Sequence, residues 1–360
     1  MSIRDLPRPE LAPVKIGAKE EIQGMSPRRA VHLVLAAALL ASPFISPAVA
    51  EVKEVRIAKQ YGIGYLPLMI MEHDKLLEKH VKAEGLSDTT VSWATFTGSA
   101  AMNDALLSGN LDFAAVGPPG IALLWSKTKG TPQEVKGLTS LTSMALFLNT
   151  RDPNVKSIKD LTGKNKIGLP AAKVSTMAIV LQMAVEKEYG PSNYDKLDYL
   201  TITRAHPDAM VALLSGKGEI DTHFTWPPFQ FRELRTPGIH TILNSFEVTG
   251  GPATTVGMAT PGRFRNANPK TTKAFIAALS EANEIIRKNP KHAAEVYLKV
   301  AKDSDTVENI IAMLEPDQFT ITPTKMMLFA EFMHKVGTLK SKPDSWKDLF
   351  YPEIHHLPGS

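Results

Sequence analysis

Short apolar blocks alternate with polar turns along the first third of the chain. The strand pattern from Val55 to Ala58 precedes a glycine-rich turn and a helix that has Pro67 at its first position. A second strand, Val91 to Trp93, leads into a helix over Ala100 to Ser108, and a third strand follows over Leu111 to Val116. Strands that alternate with helices in this way predict an α/β fold, with a mostly parallel sheet covered on both faces.

The middle of the chain follows the same scheme and contains an internal repeat. A strand at Lys166 to Gly168, a helix from Ser175 to Tyr189 and a strand at Tyr199 to Ile202 come first. The sequence Ala-Leu-Leu-Ser-Gly then stands at both 105–109 and 212–216. Each copy is followed by an aspartate and a proline pair, which are Asp112 with Pro118-Pro119 and Asp221 with Pro227-Pro228. The alternatives are a shared plan in two lobes or a coincidence between two amphipathic helices that end in glycine.

The last third is mainly helical. Helices are predicted over 269–288, 290–302, 307–314 and 323–336, the last with Thr322 as its cap. The apolar segment Val256 to Thr260 is predicted as a strand that returns the chain to the first lobe. We therefore expect a discontinuous lobe 1, residues 51–143 plus 256–360, and an inserted lobe 2, residues 144–255. The two crossings near Ser143 and Val256 would form a two-strand hinge.

The N-terminal 50 residues have the pattern of an export signal. Arg28-Arg29 precede the apolar run Val31 to Ala41, and the segment ends in Pro47 to Ala50 with small residues at the last and third-last positions. We expect cleavage after Ala50 and a location in the periplasm. Translation could start at Met25, and the 24 residues before it are polar.

Composition excludes several classes of protein. The chain has no cysteine, which removes disulfides, thiolate metal sites and a lipidated N-terminal cysteine. The 41 basic and 37 acidic residues are interspersed, and Arg232 and Arg235 form an isolated pair, so no basic patch for nucleic acid is predicted. Glycine fingerprints for nucleotides and the usual hydrolase and zinc-protease motifs are missing. We expect no enzyme activity, no cofactor and no metal site.

Two predicted helix starts have the residues that an anion site needs. Thr97, Gly98 and Ser99 offer two hydroxyls and a close backbone approach, and Lys173 to Thr176, which includes Ser175, adds an ammonium group. Free N–H groups at a helix N-terminus attract anions. The competing interpretation is that these Ser and Thr side chains are ordinary N-caps.

Other loop residues at the predicted mouth complete the candidate site. Tyr61, Tyr65 and Trp226 could form apolar walls around a ligand, although Tyr61 and Tyr65 could equally pack in a core. His223 follows the repeated Asp221 and could face the cleft or be structural. The glycine and proline members of the predicted ligand-binding set are Gly62, Gly117 and Pro118.

Ordered blocks from Lys53 to about Trp346 resemble the periplasmic binding proteins for nitrate, sulfonates, taurine and thiamine-related pyrimidines. The blocks are Ile57 to Pro67, Phe96 to Ser99, Ala105 to Asp112, Gly117-Pro118, Ile158 to Lys164, Ile167-Gly168 and Ser175-Thr176. The resemblance implies a bilobal periplasmic binding protein of the second class (type II), with Tyr61, Thr97, Gly98, Ser99, Gly117 and Ser175 facing the ligand. Eukaryotic relatives that make the thiamine pyrimidine use a cysteine-rich stretch, which this chain lacks.

The resemblance also implies a role and partners. We expect a monomer that captures a small organic anion, with a sulfonate or taurine-like molecule as the first candidate, and delivers it to the permease of an ABC importer. A neutral or aromatic ligand such as a thiamine precursor is the alternative within the same class. A sensory protein that presents its ligand to a membrane receptor would use the same physics.

Overall fold

The computed structural model describes residues 50–360, so the predicted signal segment lies almost entirely outside the described residues. Residues Glu51–Ser360 form one compact unit, built around two five-stranded sheets. Sheet A contains β1 (Glu54–Lys59), β2 (Thr90–Thr95), β3 (Phe113–Val116), β4 (Val135–Thr142) and β10 (Val256–Pro261). Sheet B contains β5 (Phe147–Thr150), β6 (Ile167–Leu169), β7 (Thr201–Thr203), β8 (Thr222–Thr225) and β9 (His240–Asn244).

The two sheets have equivalent strand orders. Sheet A runs β2-β1-β3-β10-β4 and sheet B runs β7-β6-β8-β5-β9. In each sheet the first three strands are parallel, and the fourth is antiparallel to both of its neighbours. All four residues of β3 and all four of β8 are buried, as expected for central strands with both faces covered. The predicted mostly parallel α/β architecture is confirmed. One strand in each sheet is antiparallel to its neighbours, β10 in sheet A and β5 in sheet B, and on that strand the chain arrives from the other sheet.

Helices cover both sheets. The α-helices that follow the strands of sheet A are α1 (Leu66–His73), α2 (Leu76–Ala83), α3 (Ser99–Ser108) and α4 (Pro118–Thr128). Those of the sheet B segment are α5 (Thr176–Tyr189), α6 (His206–Ser215), α7 (Phe229–Leu234) and α8 (Ser245–Thr249). The C-terminal part contains α9 (Gly262–Ala267), α10 (Pro269–Lys288), α11 (Pro290–Ala301), α12 (Val307–Ile311), α13 (Met326–Lys335) and α14 (Trp346–Leu349). Short 3₁₀ turns lie at Ile63–Tyr65, Ile158–Asp160, Pro191–Asn193, Asp198–Leu200, Pro316–Gln318 and Pro352–Ile354.

We refer to sheet A with α1–α4 and α9–α12 as the first half, and to sheet B with α5–α8 as the second half. Helix α10 packs on α1 and α2, while α6 packs on β6 and β8. Helix α13 contacts α4 of the first half and α5 of the second. Within the described part of the chain, no helix is long and apolar enough to cross a bilayer.

The prediction that Thr322 caps a helix from Pro323 is wrong. Helix α13 begins at Met326, and its N-cap is Lys325 in the left-handed region, with φ 56°. The residues before it are extended because their backbone bonds to sheet A and the adjoining chain crossing. The Ser140 amide donates to the Ile321 carbonyl at 2.9 Å, and the Thr254 amide donates to the Thr324 carbonyl at 3.0 Å. Helix propensity is local and does not register these long-range bonds.

The chain passes between the sheets at two places that are hydrogen-bonded to each other. The Thr255 hydroxyl lies 3.0 Å from both the amide nitrogen and the carbonyl oxygen of Met144. On the second-half side, the Ser245 amide donates to the Leu146 carbonyl, and the Leu146 amide donates to the Ser245 hydroxyl, both at 2.9 Å. The two crossings therefore form one paired connection rather than two independent linkers.

Candidate functional site

A small cavity lies between the two halves. Its volume is about 20 Å³, which is space for about one water molecule. We call it the central cavity. The first half contributes Gln60, Tyr65, Ser99, Gly117, Thr255 and Val256, and the second half contributes Pro170, Ser175, Thr176, Met177, His206 and Trp226.

Four α-helices, two from each half, begin at this cavity without a preceding 3₁₀ turn. They are α3, α4, α5 and α6, and a residue at the start of each one lines the cavity. Tyr65, the N-cap of α1, also lines it, but α1 continues a 3₁₀ turn in which the Leu66 amide donates to the Ile63 carbonyl.

The N-cap residues Gly98, Gly117 and Ala205 make no side-chain cap hydrogen bond. Only Ser175 caps its helix, by accepting from the Ala178 amide at 3.2 Å. Each helix start contributes about half a positive charge, so the cavity is electropositive although no Lys or Arg lines it.

Glycines of the first half allow close contact with the second half. A Cβ on Gly117 would lie 2.1 Å from the Thr176 hydroxyl oxygen, and one on Gly98 would lie 2.7 Å from the Pro170 carbonyl oxygen. Because such distances are not tolerated, the halves can meet in this way only with glycine at both positions. Thr176 also crosses the gap, since its hydroxyl donates to the Thr255 carbonyl at 3.1 Å.

Trp226 inserts into the first half. A Cβ on Gly62 or on Gly64 would lie 2.4 Å from its indole ring. The indole N–H donates to the Tyr61 carbonyl at 3.1 Å, and the ring meets Tyr65 edge to face with centroids 5.0 Å apart. Next to it the Ile63 amide donates to the Pro227 carbonyl at 3.0 Å. Burial raises the pKa of Tyr65 well above its usual value, so its hydroxyl keeps its proton.

His206 connects the cavity to a buried polar network in the second half. Its Nδ1 lies 3.0 Å from Nε2 of His223 and 3.1 Å from the Thr225 hydroxyl. The other ring nitrogen of His223 lies 2.5 Å from the Glu233 carboxylate. His206 also stacks on Phe229, with ring centroids 5.6 Å apart. Burial, followed by the field of His223, lowers the pKa of His206 well below its ordinary value, so its ring is neutral near pH 7.

Two larger cavities adjoin the central one between the halves. The first, which we call the Tyr61 cavity, has about 560 Å³ and shares Gln60 with the central cavity. The second, the Thr97 cavity, has about 510 Å³ and shares Pro170 with it. At the rim of the Tyr61 cavity, Arg232 of α7 bonds to Asp303 at 2.6 Å and to Asp305 at 3.1 Å. This ion pair joins the two halves across the opening.

The structure brings part of the predicted set together. Tyr65, Ser99, Gly117, Ser175, Thr176 and Trp226 all line the central cavity. Tyr61 and Gly62 line the Tyr61 cavity, and Thr97 and Gly98 line the Thr97 cavity.

The remaining predicted residues do not line these three cavities. Pro118 is buried at the first position of α4. Lys173 is exposed, with φ 68°, and its charge acts on Asp198. His223 has no exposed surface and lies behind His206.

Sequence reasoning missed six cavity residues, which are Gln60, Pro170, Met177, His206, Thr255 and Val256. One signal could have found His206. When the two Ala-Leu-Leu-Ser-Gly copies are aligned, Ser99 at the start of α3 corresponds to His206 at the start of α6. The repeat therefore marks the same position in each half, and both residues line the cavity.

Solved structures with the same fold support this description. The alkanesulfonate-binding protein of Xanthomonas axonopodis pv. citri, bound to MOPS, superposes with a TM-score of 0.63 at 15% identity, covering 81% of this chain and 96% of its own. The periplasmic nitrate-binding protein of Synechocystis PCC 6803 superposes with a TM-score of 0.61 at 15% identity, and the match covers 83% of this chain and 85% of that protein. A Candida albicans protein described as exhibiting the generic periplasmic binding protein fold superposes with a TM-score of 0.58 at 14% identity, and the match covers 83% of this chain and 96% of that protein.

These similarities confirm the predicted bilobal binding-protein fold and the resemblance to the nitrate and sulfonate binders. A comparison with curated proteins finds no match. The model of the NMT1-like family matches residues 48–300, which is more than half of the sequence. The chain is therefore a member of the NMT1-like family with the periplasmic binding protein fold.

Proposed function

We propose that this protein is the periplasmic binding component of an ABC importer and that it captures a small organic anion between its halves. A sulfonate or taurine-like molecule is the first candidate. The observation that carries the proposal is the meeting of four helix N-termini at one cavity, two from each half. An anion there would be held by backbone N–H groups and by the hydroxyls of Ser99 and Ser175, without a dedicated cation.

The energetics of such a site are sufficient. A hydrogen bond to a charged group contributes about 1.5 to 3 kcal/mol net, and micromolar affinity needs about 8 kcal/mol. Three or four bonds of this kind, with burial against Tyr65 and Trp226, would reach that value. Because the central cavity holds only about 20 Å³, a larger ligand requires the halves to separate and close again. The paired crossings at Met144 and Thr255 are the proposed hinge.

The role is tested by a thermal-shift screen of the purified protein. Taurine, methanesulfonate, nitrate, benzoate and an aminopyrimidine precursor of thiamine are compared at concentrations far above their expected dissociation constants. A ligand at 100 times its dissociation constant stabilises the folded protein by about 2.7 kcal/mol. We expect an anion to raise the melting temperature, and the absence of a shift with every anion would contradict the proposal.

A pair of variants tests the site itself. Ser99→Ala combined with Ser175→Ala should weaken anion binding at least about tenfold, since each hydroxyl removed costs about 1 kcal/mol or more. The control is Ser108→Ala combined with Ser215→Ala, which changes serines at the other ends of α3 and α6. Equal affinity in both double variants would place the anion elsewhere.

A neutral aromatic ligand is the second candidate, because the cavity walls include the Tyr65–Trp226 pair and His206 stacked on Phe229. A pyrimidine ring could stack among these side chains. The same screen separates the candidates, since a thiamine precursor would raise the melting temperature while the anions would not.

A further inference from the structure

A chain of buried polar side chains crosses the second half and ends at the central cavity. Asn149 of β5 donates to the Glu233 carboxylate of α7 at 2.9 Å. Glu233 in turn lies 2.5 Å from His223 of β8, and His223 lies 3.0 Å from His206 at the start of α6. The first three side chains have no exposed surface, while His206 is 5% exposed and lines the cavity. The network thus has one end at the ligand site.

The charge state of Glu233 follows from its surroundings. A fully buried carboxylate is stable in its ionised form only when it is hydrogen-bonded and paired with a cation. The Asn149 amide supplies a hydrogen bond, and His223 supplies the partner that can carry a positive charge. The neighbouring Arg232 bonds instead to Asp303 and Asp305 of the first half. Glu233 and His223 are therefore assigned as a carboxylate and an imidazolium.

This assignment fixes the proton on His206. An imidazolium has N–H groups at both nitrogens, so Nε2 of His223 donates to Nδ1 of His206. The Thr225 hydroxyl lies 3.1 Å from the same Nδ1. The ring of His206 is neutral, and its single proton must then be on Nε2. With Nδ1 engaged inside the second half, Nε2 is the nitrogen available to a ligand.

We propose that the buried Glu233–His223 pair holds His206 as a hydrogen-bond donor toward the ligand, with the positive member of the pair, His223, next to His206. His206 would be a ligand-binding residue, and Glu233 and His223 would be positioning residues that select a ligand with an acceptor oxygen at this point. The reverse proton arrangement, with His223 neutral and its proton on Nδ1, would present a lone pair on His206 and would select a donor. The role in binding rests on the proposed anion capture, whereas the proton arrangement does not.

The other titratable groups around His206 do not disturb this arrangement. Across the cavity stands Tyr65, which burial keeps protonated. Asp208, in the first turn of α6, lines the Thr97 cavity. Lys59 and Glu72 of the first half line the Tyr61 cavity and pair with each other.

The proton arrangement is tested without any ligand. In protein labelled with ¹⁵N at histidine, long-range ¹H–¹⁵N correlation spectra distinguish the doubly protonated ring and the two neutral tautomers. The signals are assigned with His206→Gln and His223→Gln. Near pH 7 we expect His223 to be doubly protonated and His206 to have its proton on Nε2. A neutral His223, or a His206 with its proton on Nδ1, overturns the proposal.

Glu233→Gln tests which group controls the arrangement. The amide keeps the shape of the side chain but removes the negative charge, so His223 should become neutral. Because Asn149 still donates to position 233, the Gln carbonyl should accept from Asn149 and its NH2 should donate to Nδ1 of His223, so the proton of His206 should stay on Nε2. His240→Gln, a change at a half-buried histidine of β9 that bonds to the Val155 carbonyl, is the matched control and should leave both rings unchanged. A His223 ring that stays doubly protonated in folded Glu233→Gln protein contradicts control by Glu233. The spectrum of the unsubstituted protein decides the assignment even if this variant does not fold.

The binding role is tested with taurine and methanesulfonate. His206→Ala should weaken binding about tenfold, which corresponds to about one lost hydrogen bond to an anion. Glu233→Gln keeps the donor on His206 and removes only the imidazolium charge, so it should weaken binding less than His206→Ala. His206→Gln places a donor close to the former Nε2, so it should retain affinity. If both anions fail to bind the unsubstituted protein, the sulfonate candidate fails, while the spectra still decide the proton arrangement. If they bind and His206→Ala has no effect, the binding role of His206 is wrong.

Discussion

The two halves share one structural unit, but they use it differently at the site. In the first half α3 ends at Gly109 and leads to β3, and in the second half α6 ends at Gly216 and leads to β8. Both glycines are left-handed, with φ 81° and 65°, and a Cβ on either would lie within 2.6 Å of an arginine side chain, Arg263 or Arg151. The shared strand and helix unit is therefore repeated together with the arginine that packs at the C-terminal glycine of its helix.

The side chains at the cavity differ between the halves. After β3 the first half has Gly117, and at the start of α3 it has Ser99, so it presents small residues and backbone N–H groups. At the corresponding places the second half has the larger side chains of Trp226 and His206. Trp226 inserts between glycines of the first half, so the small residues of one half accommodate a large side chain of the other. The shared unit gives the equivalent helix starts of α3 and α6, and different side chains at a few positions give the fit between the halves.

Removal of Trp226 is expected to have the largest effect on this fit. Trp226→Ala deletes an aromatic side chain that is 2% exposed and packs on Gly62, Gly64 and Tyr65. Truncation of a buried aromatic costs about 3 kcal/mol or more, and here the contact is between the halves. We expect taurine affinity to fall about 100-fold and the radius of gyration measured by X-ray scattering to increase.

The matched control for this variant is Trp346→Ala. Trp346 is 7% exposed and packs on Phe350 within the C-terminal part of the chain. Its loss should lower the melting temperature without changing affinity. A Trp226 variant that loses stability but binds normally would show that the inserted ring is only core packing.

Gly117→Ala changes the contact between the halves from the first-half side. The φ of Gly117 is −71°, so alanine is allowed in the separated halves, but its Cβ would meet the Thr176 hydroxyl in the observed arrangement. We expect affinity to fall about tenfold to thirtyfold with little change in stability, since overpacking costs about 1 to 3 kcal/mol. Calorimetry measures the affinity.

Two further variants decide whether the effect of Gly117→Ala is steric. Thr176→Ala, added to Gly117→Ala, removes the clashing oxygen and should recover part of the loss. Gly163→Ala, at a glycine whose nearest contact is 4.0 Å away, should do nothing. If Thr176→Ala restores none of the affinity, contact between the halves at this point does not control binding.

The sequence predicted the repeated frame well because its signals are local. Glycine and proline mark the ends of α3, α4, α5 and α10, and apolar runs mark β1, β3 and β10. It did not predict β4, β5, β9 or α2. Strand β5 is only four residues long and pairs with β8 and β9, which follow more than 70 residues later, so nothing near it in the chain shows that it is a strand.

The same limit applies to the site. Ser99, Ser175 and Gly117 were found because helix starts and turns have local signatures. The proposed role of His206 depends on its contact with His223 and, through it, with Glu233. The fold brings these residues together, and no local pattern in the sequence marks the contact. Lys173 was predicted from its place beside Ser175, but a left-handed backbone at that residue accompanies an exposed side chain.

The ion pairs of Arg232 connect the halves more weakly than the Trp226 contact does. The measurement is the salt dependence of taurine affinity in a variant that lacks them. Arg232 is partly buried against Asp303 and Asp305, and these hydrogen bonds outweigh burial and raise its pKa. We expect Arg232→Ala to weaken taurine binding about threefold to tenfold at low salt, consistent with about 1 kcal/mol for such a pair. The difference from the unsubstituted protein should shrink as salt is raised. Arg265→Ala, which breaks a similar pair with Glu353 inside the first half, should leave affinity unchanged at every salt concentration.

The smallest effect is expected where the first half has its own histidine cluster. Asp74 lies 2.6 Å from His73 and 2.9 Å from His292, but all three side chains are partly exposed, unlike the buried network of His223. Burial alone would raise the pKa of Asp74, yet the hydrogen bonds from His73 and His292 outweigh it and lower that pKa. A lowered pKa stabilises the fold above the unfolded value of about 3.9, and this contribution is lost as pH falls through the folded value.

Asp74→Asn should therefore reduce the free energy of unfolding by about 1 kcal/mol or less near pH 6, and the difference should vanish as the pH drops below about 4. Urea denaturation across this range measures it. The variant should leave anion affinity unchanged, because Asp74 is not among the residues that line the central cavity. If Asp74→Asn lowers the free energy of unfolding at pH 6 as much as Glu233→Gln does, exposure does not distinguish the two clusters. The contrast between a surface ion pair and a buried positioning network would then have to be abandoned.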